Sequence, residues 1–296
     1  MSLPIVFIHT GFAEHLWIAT RQAQLTNPDL PIALLGDRKN RKIKWVTQHY
    51  DVADHFDSAK EFEKVYKHRS TNGIKFELFC FQRWFVLLQW MKEQGIERCW
   101  CHDSDVMIYS DMSELAEQYS DVDLVICAKS GHSLLVQNRQ GLEDFCNYVL
   151  RMYTDETLDA KLNAFFEQRQ SEGGLGGISD MLAFEYFAHE FPERVASSHQ
   201  SYERGIIDPG MHVTGDFVGD VRKSIHWKNA LPYGRLKDGN EAVRFHSLHF
   251  QGGNKRLMAS HASQPDLGLL GICIRRRTIA RLKRITRSVN KRLRAA

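Results

Sequence analysis

Apolar residues along this chain come in short runs broken by Gly, Asp and His, and those runs alternate with longer stretches of helical character. Ile5-Val6-Phe7-Ile8 reads as a first strand ending at His9-Thr10-Gly11, and Ile32-Ala33-Leu34-Leu35 as a second ending at Gly36-Asp37. Phe76 to Gln94 is dense in Phe, Leu, Trp and Met, lacks Gly and Pro, and precedes Gly95, so it predicts a buried helix capped by that glycine. A short strand over 96–102 then runs into Asp103-Ser104-Asp105 and a second apolar run, Val106 to Tyr109. Another strand is expected at Asp123–Ala128, helices at Leu142–Met152 and Leu158–Phe166, a flexible loop at 173–177 and a helix from Asp180. From Ser224 to Phe250 the pattern is irregular and β-like, ending at His249-Phe250-Gln251-Gly252-Gly253-Asn254-Lys255. Strand–helix alternation of this kind predicts an α/β fold with a mainly parallel central sheet and flanking helices. With no internal repeat and no linker, residues 1–266 read as one catalytic domain and 267–296 as a tail.

Composition narrows the class. A chain of 296 residues with 43% apolar and 25% charged residues is ordinary for a globule, which excludes disorder, collagen and coiled-coil arrays as descriptions of the whole. Met1-Ser2-Leu3-Pro4 leads directly into the first strand without a basic leader, so the expectation is a cytoplasmic protein. The uncharged stretch 267–274 is far shorter than the roughly 20 residues a membrane span needs. The six cysteines sit within apolar runs, Cys99 and Cys101 on one face of a strand, which suits buried thiols and not zinc. Charge is uneven. Ten of the 39 Lys and Arg lie in 275–296, where there is no acid, so the first 274 residues hold 29 basic and 36 acidic side chains, a net −7. An acidic globule with a basic tail asks for an anionic partner.

Asp103 and Asp105 follow a buried strand two residues apart, and a kinked turn would aim both carboxylates at one point. Hard oxygen ligands of this kind suit Mn²⁺ or Mg²⁺; the plain alternative is a solvated turn, which is the better reading of Asp121-Val122-Asp123, a similar triplet that precedes a strand. Ser104, between the two carboxylates, is counted with the donor contacts. In His249-x-x-Gly252-x-x-Lys255 an imidazole can complete a metal shell, glycine lets backbone approach phosphate, and an ammonium neutralises it. Together these residues form a candidate metal–diphosphate clamp.

The run Cys99-Trp100-Cys101-His102-Asp103-Ser104-Asp105-Val106-Met107-Ile108-Tyr109-Ser110-Asp111-Met112-Ser113-Glu114-Leu115, with Arg83 some twenty residues upstream, resembles the Asp-x-Asp core of GT-A glycosyltransferases. It is most similar to glycosyltransferase family 8, which contains glycogenin and lipooligosaccharide galactosyltransferases and also carries a His-x-x-Gly-x-x-Lys near its end. The resemblance spans roughly residues 5 to 258. It implies a GT-A type fold and a UDP- or GDP-linked nucleotide-diphospho-sugar donor. It also implies a divalent metal on Asp103, Asp105 and His249, with diphosphate contacts from Lys255 and the Gly252-Gly253 backbone. The chain departs from the family in three places. Gly131-His132-Ser133-Leu134-Leu135 stands where an Asn-x-Gly is usual, Met181 follows Asp180 where Gln is usual, and Arg256-Leu257 replaces Pro-Trp after the lysine.

Asp180 is the candidate catalytic carboxylate, orienting the donor sugar or acting as base on the acceptor hydroxyl, and equally a candidate helix cap. Arg83 either forms a structural ion pair or reaches the carboxyl edge of the sheet, and Thr10, Gly11 and Asp37 are candidate nucleoside contacts by position. Asp208 and Asp216 are possible acceptor-side acids, with turn formation the simpler reading. In the tail, Thr278, Ile279, Leu282, Ile285, Val289 and Leu293 fall on one side of a helix and the Lys and Arg on the other. A helix over 275–294 of this type lies on anionic membranes; docking on the acidic globule is the alternative, and nucleic acid is disfavoured because the tail has no aromatic residues. The expected activity is sugar transfer from a nucleotide diphosphate to a lipid-linked or surface glycan. The alternatives are a nucleotidyltransferase of similar fold, which would need a basic Gly-rich loop after the first strand that Thr10 to Glu14 does not supply, or a non-catalytic scaffold that attaches to membrane or nucleic acid.

Overall fold

Alternate residues of the central strands face two different cores, and that period of two is what layers the molecule. The computed structural model describes residues 3–199, 202–239, 241–275 and 278. In chain order the elements are β1 (Ile5–Ile8), α1 (Glu14–Thr26), β2 (Ile32–Gly36), β3 (Gln48–Asp51), α2 (Asp57–Val65), α3 (Ile74–Glu93), β4 (Cys99–His102), β5 (Val106–Ile108), α4 (Met112–Glu117), β6 (Leu124–Cys127) and β7 (Ser130–Val136). They continue with α5 (Arg139–Thr154), α6 (Glu156–Ser171), α7 (Asp180–Glu190), β8 (Val195–Ser197), β9 (Ile206–Ile207), β10 (Ile225–Lys228), β11 (Leu231–Arg235), β12 (Ala242–His249) and α8 (Met258–His261). Single 3-10 turns cover Val52–His55 and Gly252–Leu257.

The main sheet has seven strands in the order β3-β2-β1-β4-β7-β6-β8. β3, β2, β1 and β4 are parallel, β7 runs antiparallel to both β4 and β6, and β8 is parallel to β6. This is the α/β architecture with a mainly parallel sheet that the alternation predicts. Val6, Ala33, Leu35, Cys99, Cys101, Leu134 and Val136 pack on one side against α2, α3, α5 and α7; Ile5, Phe7, Ile32, Leu34, Trp100 and Leu135 pack on the other against α1, α4 and a second sheet. The second sheet, β10-β11-β12-β5 with β9 beside β12, is antiparallel except for β9. The irregular stretch after Ser224 is therefore a three-strand meander.

α3 starts two residues earlier than expected, and its apolar residues are buried only past its first turn: Phe76 is 64% exposed, whereas Phe81, Trp84, Val86, Leu87, Trp90 and Met91 have almost no accessible surface. Each such side chain contributes roughly 1.5–3 kcal/mol of apolar burial. The helix ends as predicted, with Gly95 at φ +63° and Ile96 N–H donating back to the Met91 carbonyl at 2.8 Å. The glycine loop before α7 is tied down. Ile178 N–H donates to the Arg69 carbonyl at 2.7 Å and Gly177, where a Cβ would lie 2.1 Å from that same oxygen, bridges Ser70. Residues 267–275 are helical, with Leu269 buried. The basic helix expected over 275–294 lies outside the described residues apart from Arg275 and Thr278. Among the described residues no helix is long and apolar enough to cross a membrane.

Candidate active site

The Asp103-Ser104-Asp105 segment is a tight turn between two strands that belong to different sheets. β4 sits inside the main sheet, β5 pairs with β12, and Val106 N–H closes the turn on the Asp103 carbonyl at 3.0 Å. The turn is clamped on both flanks: Asp103 N–H donates to the His132 carbonyl on β7 at 2.8 Å, and Phe250 N–H donates to the Asp105 carbonyl at 2.9 Å. Because β12 is antiparallel to β5 with His249 opposite Val106, the imidazole arrives beside Asp105 from 144 positions later in the chain. One donor atom from each of Asp103, Asp105 and His249 lies within 4.8 Å of the other two. His249 Nε2 is 3.4 Å from Asp105 Oδ1, and Lys255 Nζ, on the 3-10 turn that follows, is 3.2 Å from Asp105 Oδ2.

Arg83, on α3, joins this cluster to α7. One guanidinium nitrogen pairs with Asp103 and the other donates to Asp180 Oδ2 at 2.8 Å, while the guanidinium carbon stands 4.2 Å over the Trp84 ring. Trp84 Nε1 also donates to Asp180 Oδ2 at 3.1 Å. Both sequence readings of Arg83 therefore hold at once: it is an ion-pair residue and it reaches the Asp-x-Asp turn. The helix cap, by contrast, is Ser179, which accepts from Leu182 N–H; Asp180 is the first residue inside α7, with its carboxylate turned inward to Arg83.

Burial raises the cost of charge here, and partners decide which groups keep it. Burial pushes the Asp105 carboxyl up, but the hydrogen bond and charge of His249 and the ammonium of Lys255 outweigh it and hold the group well below the usual carboxylate range. Burial pulls His249 down, but Asp105 first, then Asp103 and Asp208, raise it above the ordinary histidine value. His132 is buried and additionally faces His249, so it stays neutral, far below that value.

Asp103, Ser104, Asp105, Arg83, Asp180, His249, Gly252 and Lys255 all line one cleft of about 660 Å³, a size suited to a nucleotide-scale ligand. Thr10, Gly11, Asp37 and Gly253 are not among its lining residues. The first three form a neighbouring unit at the ends of β1 and β2, where Asp37 accepts from Gly11 N–H at 2.8 Å and Asn40 donates to the carbonyls of His9 and Gly11 at 2.6 and 3.0 Å. His9 connects that unit to the turn through a 3.0 Å contact between its Nδ1 and Ser104 Oγ. His9, Asn40 and His132 were not singled out from sequence; the only signal for His132 is a polar residue inside an apolar strand. Asp208 takes the turn role that is the simpler reading, accepting from Gly210 N–H at 3.1 Å; fully buried and paired with Lys223 at 2.7 Å, it does not face an acceptor. Asp216 accepts from the Tyr202 hydroxyl at 2.7 Å.

Comparison with solved structures finds likenesses at low sequence identity. The chain is similar to mouse xyloside xylosyltransferase 1 (13% identity, covering 67% of this chain and 85% of that one, TM-score 0.43). It is also similar to the galactosyltransferase LgtC in complex with donor and acceptor sugar analogues (12%, 91% and 100%, TM-score 0.45) and to the bifunctional glycosyltransferase WbbM (10%, 93% and 51%, TM-score 0.49). No family model matches the chain, and no curated protein matches it in sequence.

Proposed function

We propose that this chain transfers a sugar from a nucleotide-diphospho-sugar to a hydroxyl acceptor with the help of a divalent ion, Mn²⁺ or Mg²⁺. The observation that carries the reading is the meeting of Asp103, Asp105 and His249, donor atoms within 4.8 Å, in a cleft that also holds Lys255 and Asp180. Two carboxylates and one imidazole fit such an ion and leave positions for phosphate oxygens. When bound, the ion would offset negative charge on a departing diphosphate.

The chain's own residues supply the rest. Lys255 neutralises a phosphate oxygen brought against Asp105, and the backbone of Gly252 and Gly253, where an added Cβ would meet nothing, leaves room for that approach. Arg83 holds Asp103 in register and ties it to Asp180, which orients the donor sugar or accepts the proton of the attacking hydroxyl. Thr10, Gly11 and Asp37 receive the nucleoside at the carboxyl ends of the parallel strands. In this reading residues 1–266 are the catalytic unit, the donor is UDP- or GDP-linked, the acceptor is a lipid-linked or surface glycan, and 275–294 attaches the enzyme peripherally to the cytosolic face of an anionic membrane, leaving the chain cytoplasmic.

The test is a hydrolysis assay over a panel of UDP- and GDP-sugars with Mn²⁺. One donor should be turned over, and EDTA or Asp105→Ala should abolish the turnover. If no nucleotide shifts the melting temperature and no donor is hydrolysed, the enzyme reading fails and a binding scaffold takes its place.

A further inference from the structure

We propose that the buried Asp208–Lys223 ion pair is a positioning device that presents His249 to the metal through its Nε2 atom; the inference rests on the metal reading above. Asp208 and Lys223 have essentially no exposed side-chain surface, 0% and 1%. A buried pair of this kind is weak evidence for stability by itself, because desolvating two charges offsets their attraction. What distinguishes this pair is where its hydrogen bonds go. Asp208 Oδ1 accepts from Lys223 Nζ at 2.7 Å and from Gly210 N–H at 3.1 Å, and Asp208 Oδ2 accepts from the backbone N–H of His249 at 3.0 Å. Lys223 Nζ also donates to the Gly210 carbonyl at 2.6 Å, closing the loop on itself.

The segment 208–211 grips His249 at every other handle. Met211 N–H donates to the His249 carbonyl at 2.9 Å, and His249 Nδ1 meets the Pro209 carbonyl at 3.3 Å. His132 Nε2 meets the Asp208 carbonyl at 3.1 Å, and its ring stacks on the His249 ring with centroids 4.1 Å apart and planes 17° from parallel. A carbonyl can only accept, so His249 Nδ1 carries a proton toward Pro209; Nε2, which faces Asp105 as its hydrogen-bond partner here, is the atom that gives up its proton when an ion binds. Partners of this type orient a ligand and set its tautomer, and losing them typically lowers metal affinity 10- to 100-fold. Asn at 208 can serve only one of the two N–H donors, because its amide nitrogen is itself a donor.

The test uses the full chain and four variants: Asp208→Asn, Lys223→Met, the Asp208→Asn/Lys223→Met double, and His249→Gln as reference. Mn²⁺ and Mg²⁺ dissociation constants are measured by calorimetry, with thermal melts beside them. An imidazole ligand favours Mn²⁺ over Mg²⁺, so a misplaced His249 lowers Mn²⁺ affinity about 10- to 100-fold while Mg²⁺ affinity changes little. Loss of that preference to the His249→Gln level supports the proposal; a purely structural pair would weaken both ions alike or neither. A variant that melts cooperatively and keeps the parent's Mn²⁺ affinity and preference overturns it. Where a single variant does not fold, the double, which leaves no unpaired buried charge, decides. A parent that binds neither ion overturns the metal reading itself and this inference with it.

Discussion

Replacing Arg83 with Met tests whether the ion-pair bridge between α3, the Asp-x-Asp turn and α7 is as consequential as its geometry implies. The guanidinium is 17% exposed and serves two carboxylates, Asp103 at 31% and Asp180 at 6%. Removing it leaves Asp180 held by the Trp84 indole N–H, which forfeits a charged hydrogen bond of roughly 1.5–3 kcal/mol. The wetter Asp103 adds less, since water replaces part of its partner, and loss of the stack on Trp84 adds about 0.5–1 kcal/mol. The total is about 3–4 kcal/mol, within the range found when one member of a buried pair is deleted. At about 2–4 °C per kcal/mol, the melting temperature should fall by about 10 °C. Arg83→Met/Asp180→Leu should recover part of that loss, because it removes the stranded carboxylate. Urea denaturation of the three proteins measures the loss of free energy and its recovery, and thermal melts measure the fall in melting temperature. A single variant within 1 kcal/mol of the parent, or a double no better than the single, would refute the reasoning.

Other outcomes follow from single sites. Asp105→Asn and His249→Gln should lose the thermal shift on adding Mn²⁺ with UDP or GDP and drop donor hydrolysis at least 100-fold, read by melting curves and product release. His246 is buried against Arg244, which together hold it down at about 4. Its folded value lies below the unfolded 6.5, so the unfolded chain binds a proton that the folded chain refuses between those limits. Its share of stability is whole above pH 6.5 and fades as pH falls, by about 2 kcal/mol at pH 5. In a urea series from pH 7 to 5, His246→Gln should flatten the slope by about one proton. Gly131→Ala would place a Cβ 2.6 Å from Trp84 and Phe184, and overpacking of this size should cost about 1–3 kcal/mol in a thermal melt. Truncation after Ile274 spares the buried Leu269 and should abolish flotation with anionic vesicles without changing soluble donor hydrolysis.

Local pattern made several parts of this protein readable in advance. Unbroken apolar runs in β1, β2 and β4 announce strands with two covered faces, and the turn chemistry of Gly95 announces the end of α3. The placement of Asp103 and Asp105 after a buried strand distinguished them from Asp121 and Asp123, which precede one. The exposed start of α3 was misjudged for a physical reason. Ile74 and Phe76 are as apolar as the residues that follow, and only the packing of neighbouring elements tells which turn of a helix is covered. The same limit applies to Asp180, whose position at a helix start suggested a cap until Ser179 took that place and Arg83 drew the carboxylate inward.

The sequence by itself determined the strand–helix order and the two carboxylates of the turn, because each depends on residues within a few positions of one another, and the acidic-globule, basic-tail division of charge, because that is a property of composition alone. The sequence already suggested a site shared by His249 and the two carboxylates; tertiary structure supplied the register that sets His249 beside Asp105, and it alone decided that Arg83 bridges Asp103 to Asp180 and that Asp208 is buried on Lys223 behind the histidine. Those contacts join residues 15 to 144 positions apart. The contact of His249 with Asp105 exists because the chain leaves the main sheet after β4 and β5 pairs with β12, and strand register is settled by which faces of the whole molecule are buried.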